Sequence, residues 1–231
     1  MTKHINKAIT ILLSMALIIA CSAVTIYASD EPAFDLSIAS GEIGETVEVE
    51  LNIVNNPGIT ALSVDIDYSE QDVELLDVED GGLFDSSISL GRPDASPLKL
   101  SWYDADSQNR MESGTLATLR FRIRENAVSS RVSVSYDPDN VFDNSLQNQT
   151  FTTKNGRILV NGAKIGDVNR DGEITIGDVT EIQRHIAEYQ LLDNEQMILA
   201  DTNDDGIVDI NDATLLQQYI AKFDVVIGKQ Q

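Results

Sequence analysis

Two segments of this chain carry the same twelve-residue pattern. Asp167–Asp178 reads DVNRDGEITIGD and Asp201–Asp212 reads DTNDDGIVDIND, and they begin 34 residues apart. In each, oxygen-bearing side chains recur at alternate positions: Asp167, Asn169 and Asp171, then Asp201, Asn203 and Asp205. Glycine follows at the sixth place (Gly172, Gly206), and a carboxylate closes the twelfth (Asp178, Asp212). A spacing of two brings short carboxylate and amide side chains to one centre as the chain curls, and glycine permits the sharp turn. This is the pattern of an oxygen cage for a hard cation.

Calcium suits such a cage, because it takes several oxygen ligands at once. The seventh residues, Glu173 and Ile207, offer their backbone carbonyls. The ninth, Thr175 and Asp209, ligate directly or through water. Two Ca2+ ions are therefore expected, one on Asp167, Asn169, Asp171, Glu173, Thr175 and Asp178, the other on Asp201, Asn203, Asp205, Ile207, Asp209 and Asp212. Ile174 and Val208 at the eighth place are β-branched and are expected to pair the loops through a short strand contact.

Two features depart from the EF-hand. The twelfth ligand is Asp rather than Glu, one methylene shorter. Before Asp167 stands RILVNGAKIG, a strand and a Gly-containing linker, not a helix. The first unit is loop then helix, which argues against a sensor that opens one helix against another. A period of 34 also fits a helical solenoid repeat, but two copies are too few and Asp-rich loops do not belong there.

The formal net charge of −22 over 231 residues argues against nucleic acid, since phosphate binding needs Lys and Arg. One cysteine, Cys21, allows no disulfide within the chain. Two histidines leave little for a His-rich zinc site or a Ser-His-Asp triad. His4 lies in the leader, and His185 reads as a surface residue of a helix. Residues 1–28 read as an export signal: Lys3 and Lys7 are followed by the apolar run AITILLSMALIIA and a cleavage point at Ala28. Two other readings of the leader stand, lipidation of Cys21 and an uncleaved anchor. All three place the remainder outside the cytoplasm.

Residues 33–162 are strand-like. Val47, Val49, Leu51 and Ile53 alternate with polar residues, as do Val64, Ile66 and Tyr68; Leu119, Phe121 and Ile123; and Val132, Val134 and Tyr136. Turn signals separate the runs, among them Asn55-Asn56-Pro57-Gly58, Asp80-Gly81-Gly82 and Asn155-Gly156. Many short strands without helical patterning predict an antiparallel β-sandwich. Trp102 shares a phase with Leu98 and Leu100 and is expected in the core. After a linker at 163–166, residues 165–228 show helical spacings: Val179, Ile182, Ile186, then Ala213, Leu216, Ile220. A domain of about 60 residues buries little apolar surface, and a metal is one usual remedy.

The duplicated loop and helix, with Asp at the twelfth place, resembles a type I dockerin over Ile165 to Phe223. The resemblance implies a calcium-dependent fold that binds a cohesin, through loop positions 10 and 11 and the first helix turns. Here these are Ile176, Gly177, Gln183 and Arg184, and Ile210, Asn211, Gln217 and Gln218. In the family the near two-fold repeat can allow two binding orientations; here Ile at position 10 and Gln at position 17 are kept in both copies but their neighbours differ, which leaves a single or a dual mode open. The phrases ITALSVDIDYSEQDVELLDVEDGGLF, LKLSWYDADSQNRMESGTLATLRFRI and VSVSYDPDNVFDNSLQNQTFTTKNGRILV resemble cohesin strands and turns. That implies a jelly-roll sandwich presenting one flat sheet face to a dockerin. The outward residues Ala61, Ser63, Asp65, Asp67, Lys99, Ser101 and Tyr103, with Asp104 at the rim, are the candidate contacts.

The fold class expected is thus mainly β plus small α. The function expected is that of a secreted, non-catalytic adaptor scaffoldin in a polysaccharide-degrading complex. Its cohesin would take dockerin-bearing enzymes or subunits, and its dockerin a cohesin of another scaffoldin. The alternative is a dockerin-borne carbohydrate-binding module, which would need exposed aromatics to stack on sugars. A glycosidase pair is a third reading, poorly served by about 130 residues of short strands.

Overall fold

The computed structural model describes residues 31–92 and 95–228. The readings of His4, Cys21 and Ala28 lie outside the described residues. Strands β1 (Ala33–Leu36), β2 (Ile38–Gly41), β3 (Thr46–Val54), β4 (Ala61–Tyr68), β5 (Val73–Asp80), β6 (Ser89–Gly91), β7 (Leu98–Tyr103) and β8 (Gly114–Ile123) come first. Then follow β9 (Ser130–Ser135), β10 (Val141–Phe142), β11 (Thr152–Lys154) and β12 (Gly156–Val160). Helices α1 (Ile176–Ile186), α2 (Asn194–Ala200) and α3 (Ile210–Ile220) complete the chain.

Two sheets face each other. One has the order β11-β1-β3-β8-β5; the other runs β2-β12-β9-β4-β7-β6, with β10 beside β4. Alternation dictates which side chains meet between them. Val47, Val49, Leu51 and Ile53 of β3 point inward, as do Leu62, Val64 and Ile66 of β4 and Leu119, Phe121 and Ile123 of β8. Trp102 is buried there, as its phase predicts, and its Nε1–H donates to Asp80 Oδ1 at 3.3 Å. On the outer side of β8, Arg120 reaches Glu48 at 2.9 Å and Glu79 at 2.7 Å, one on each neighbouring strand.

The expectation of a wholly antiparallel sandwich needs correction. β1 runs parallel to β11, and β2 parallel to β12. The cause is that both ends of the sandwich chain change sheets in mid-run. Ser37 separates β1 from β2, and Asn155 separates β11 from β12. Asn155-Gly156 is therefore not a hairpin turn. A Cβ on Gly156 would stand 2.4 Å from the Ser37 carbonyl oxygen, so glycine is needed where the two crossing segments touch. Phe34 stacks on Phe151 at 4.3 Å between ring centroids, and the Tyr136 hydroxyl donates to the Phe151 carbonyl at 2.9 Å, pinning this end of the core.

The C-terminal domain has its own small core of Val168, Val179, Ile182, Leu192, Ala200, Ala213 and Leu216. Ile186 is 40% exposed, so the apolar stripe of α1 ends a turn earlier than its spacing suggests. The short helix α2 is an addition to the sequence reading. Its one sequence mark is a capping box, in which Gln196 N–H donates to Asp193 Oδ1 at 2.8 Å and Asp193 N–H to Gln196 Oε1 at 3.1 Å. Among the described residues no helix is long and apolar enough to cross a membrane.

Candidate functional site

The two loops fold alike, atom for atom in several places. The fourth residues, Arg170 and Asp204, both have φ 61, and Gly172 and Gly206 both have φ 90, a backbone that favours glycine. Asn169 Nδ2–H donates to Asp171 Oδ2 at 2.8 Å, and Asn203 Nδ2–H to Asp205 Oδ2 at 2.8 Å. Each loop then becomes a helix through its own ninth and twelfth residues. Thr175 caps α1 with Asp178 as its reciprocal partner, and Asp209 caps α3 with Asp212. Both closing carboxylates are buried, and burial pushes the Asp212 carboxyl up from its usual range.

The donor set suits a hard cation. All twelve expected positions fall within the two loops, and the carboxylate and amide oxygens outnumber local cations. One buried oxygen marks a place for it. In the first loop, Asp167 Oδ1 accepts the Asp171 amide at 3.1 Å. In the second, Asp201 Oδ1 is buried with no hydrogen-bond partner among the described residues. The carboxylates are held apart nonetheless: no group of three or more His, Cys, Asp or Glu is gathered to metal-holding distance among the described residues. They are spread by Asx turns to backbone amides, such as Glu173 N–H to Asp171 Oδ1 at 2.9 Å and Ile207 N–H to Asp205 Oδ1 at 2.8 Å. Ile174 and Val208 form no β-bridge with each other among the described residues. They contribute instead as side chains packed on the same small core.

The expected recognition positions face outward. Ile176 is 61% and Ile210 57% exposed, and Gln183, Arg184, Asn211, Gln217 and Gln218 are exposed while Gly177 is half-buried. His185 lies half-buried, its Nδ1 accepting the Leu192 amide at 3.2 Å, a structural role.

On the sandwich, β4 and β7 are neighbours, and their outward residues pair in register: Ala61 with Tyr103, Ser63 with Ser101, Asp65 with Lys99. Ser63 and Ser101 share a short hydroxyl bond, and Lys99 Nζ meets Asp65 Oδ1 at 2.9 Å. Asp67 accepts the Ser96 hydroxyl, and Tyr103 is 59% exposed. Asp104 requires correction. It is buried, not at an exposed rim. Its carboxylate accepts the amides of Gln108 at 3.0 Å and Asp106 at 3.1 Å and pairs with Arg110. The Gln108 amide first, then the Arg110 guanidinium, hold this carboxyl below the usual range against the cost of burial.

Three further residues escaped the sequence reading. Arg131 and Arg157 of the sandwich reach Asp201 in the second loop, and Arg157 also reaches Asp204. Burial pushes the Asp204 carboxyl up to about 6 despite the pull of Arg157. The available signal was at the fourth loop position, where the repeat breaks from Arg170 to Asp204.

A sandwich with two neighbouring strands paired in register on its outer face, followed by two loop-helix units with outward helix starts, defines a two-module interaction protein. A family model described as "Cohesin domain" matches residues 32–160, more than half of the chain, and one described as "Dockerin type I domain" matches residues 165–221. The chain belongs to the cohesin family and carries a type I dockerin domain after its cohesin. The sixth cohesin of scaffoldin B from Acetivibrio cellulolyticus, solved in complex with a mutant Cel5 dockerin, is similar at 18% identity and a TM-score of 0.50, over 56% of this chain and 99% of that one. The cohesin CaCohA2 from Clostridium acetobutylicum is 22% identical with a TM-score of 0.49, over 58% of this chain and 92% of that one. A non-cellulosomal cohesin from Archaeoglobus fulgidus is 18% identical with a TM-score of 0.49, over 56% and 91%. No curated protein matches the chain. Both modules are non-catalytic interaction domains, and type I dockerins bind calcium.

Proposed function

We propose that the chain is an extracellular adaptor scaffoldin of a polysaccharide-degrading complex. The cohesin receives a dockerin-bearing enzyme or subunit on the β4–β7 face, through Ala61, Ser63, Asp65, Asp67, Lys99, Ser101 and Tyr103. The dockerin docks onto a cohesin of another scaffoldin through the starts of α1 and α3. What carries this reading is one chain holding both halves of a complementary pair, with Ile176 and Ile210 left exposed.

Two Ca2+ ions belong to the dockerin in this reading, on the twelve positions named above. Calcium supplies the charge that lets these carboxylates converge. The loops' own residues do the rest: Thr175 and Asp209 start the helices, and Asp178 and Asp212 tie loop to helix. Preordered helices lose less freedom on binding, so more of the contact energy appears as affinity.

Immobilising the full chain with calcium over the secreted proteins of its source, then eluting with EDTA, tests the assignment. Dockerin-bearing hydrolases and a cohesin-bearing scaffold are expected in the eluate. A chain carrying both Ile176→Asp and Ile210→Asp should keep the hydrolases and lose the scaffold. Retention on insoluble polysaccharide with neither class eluted would turn the reading to a carbohydrate-binding module.

A further inference from the structure

The two loops share a conformation but not a neighbour. Arg170 of the first turns to its own domain, Nη2 to Asp193 Oδ2 at 2.6 Å and Nη1 to Glu195 Oε2 at 2.9 Å. Asp204, its counterpart in the second, is buried against the sandwich, accepting from Arg157 Nη2 at 2.6 Å. The same nitrogen reaches the Asp201 carbonyl oxygen at 2.8 Å and Asp201 Oδ2 at 3.1 Å, and Arg131 bonds that Oδ2 as well. Asp201 Oδ1 is left over for a cation.

On the sandwich side, Arg131 and Arg157 stand directly opposite each other across β9 and β12. Like charges in register destabilise a strand pair unless anions lie over them. Asp201 and Asp204 are those anions. Arg157 is completely buried, which a charged side chain tolerates only when paired. Two residues along the same face of β12, Leu159 joins Ile165 and Leu199 of the C-terminal domain in a separate apolar cluster. Ser129 N–H donates to Glu195 Oε1 at 3.1 Å, a second polar tie across the joint.

We propose that the β9–β12 end of the sheet is a seat for the second loop of this chain's own dockerin, making cohesin and dockerin one rigid body. The seat lies on the outward side of the sheet that carries the β4–β7 face. Ser133 and Ser135 of β9 stand opposite Asp67 and Asp65 of β4. Ile176 and Ile210 stay exposed with the seat filled. Whatever the cohesin holds is thereby kept beside, and at a fixed angle to, whatever holds the dockerin.

The test is 15N relaxation on the full, calcium-loaded chain, with no partner present, so its outcome is separate from the adaptor reading. One rotational correlation time is expected for both domains. Asp204→Arg gives the second loop the residue that the first carries at the same φ, and sets a third guanidinium against Arg131 and Arg157. This variant should lose the single time and show two, shorter for the dockerin, with its helical circular dichroism retained. Should that substitution unfold the loop, Arg131→Ser with Arg157→Thr repeats the test from the sandwich side and should also give two times. An unmodified chain with two correlation times, or a folded seat variant that still tumbles as one, overturns the proposal.

Discussion

Thr175 and Asp178 close a reciprocal pair where loop becomes helix. Thr175 N–H donates to Asp178 Oδ2 at 2.8 Å, and the Thr175 hydroxyl accepts the Gly177 amide at 3.1 Å. Asp178 Oδ1 also accepts the Asn169 amide at 3.0 Å, so one carboxylate ties the third, ninth and twelfth positions. Asp178→Ala strips two amides of their acceptor and removes a proposed calcium ligand. Calorimetry should count one calcium fewer. Thr175→Ala removes the cap hydroxyl, which is also the ninth-position oxygen that reaches calcium directly or through water, and should cost about 1 kcal/mol of stability while weakening calcium binding much less than Asp178→Ala does. If the two variants lose calcium equally, the division of labour assigned here is wrong.

Metal removal should act on the two domains differently. The expected calcium ligands all lie in the C-terminal domain, whose core has seven buried residues, whereas the sandwich core is several times larger and carries none of those ligands. Adding EDTA to the full chain should abolish helical circular dichroism while the tertiary signal of the buried Trp102 persists. Returning calcium should restore the helices. Helices that survive EDTA unchanged would remove the assigned ligand set.

Acid should loosen the segment from Asp104 to Arg110. Hydrogen bonds from the Gln108 amide and Arg110 depress the Asp104 carboxyl in the folded state. A depressed carboxyl contributes stability that is complete above its unfolded value, about 3.9, and is lost as pH falls through the lower folded value. Proteolysis at Ala105–Gln108 should therefore rise only below about pH 4. Asp104→Asn, which cannot pair as a carboxylate with Arg110, should show the raised cleavage at neutral pH too. Equal cleavage of parent and variant at pH 7 would assign the loop's order to something other than this carboxylate.

What the sequence disclosed and what it hid follow from the range of each interaction. Alternation along β3, β4, β8 and β9 marks buried phases because one face of each strand meets the core. By that rule Asp104 belongs with Leu98, Leu100 and Trp102, inward, and its burial follows from phase rather than from its charge. The sheet changes at Ser37 and Asn155 were not legible, since alternation does not say which sheet a strand joins. Nor was the seat. Arg157 sits in RILV like any strand residue, and its partners lie 44 and 47 residues away. The two like loops and the helices they start were legible because their spacing is local, and α2 was not because seven residues give no periodicity.

The two proposed recognition ends share Ile at the tenth loop position and Gln at the seventeenth, but Gly177 and Arg184 of the first correspond to Asn211 and Gln218 of the second at the neighbouring places. Arg184 is also tied to Glu181 at 3.0 Å, a pair that its counterpart Gln218 cannot form as a cation. The ends therefore offer a cohesin different chemistry. Ile176→Asp and Ile210→Asp should weaken binding to the receiving cohesin unequally, with no change in melting temperature, because both side chains are exposed. Buried apolar anchors of this size are worth about 1–3 kcal/mol, roughly 5- to 150-fold in Kd, at the end that the partner reads. Calorimetric titration of both singles and the double variant decides the mode. One dominant loss means one orientation. Two small equal losses, with binding abolished only in the double, mean that the partner reads just the shared Ile and Gln and accepts the dockerin either way round.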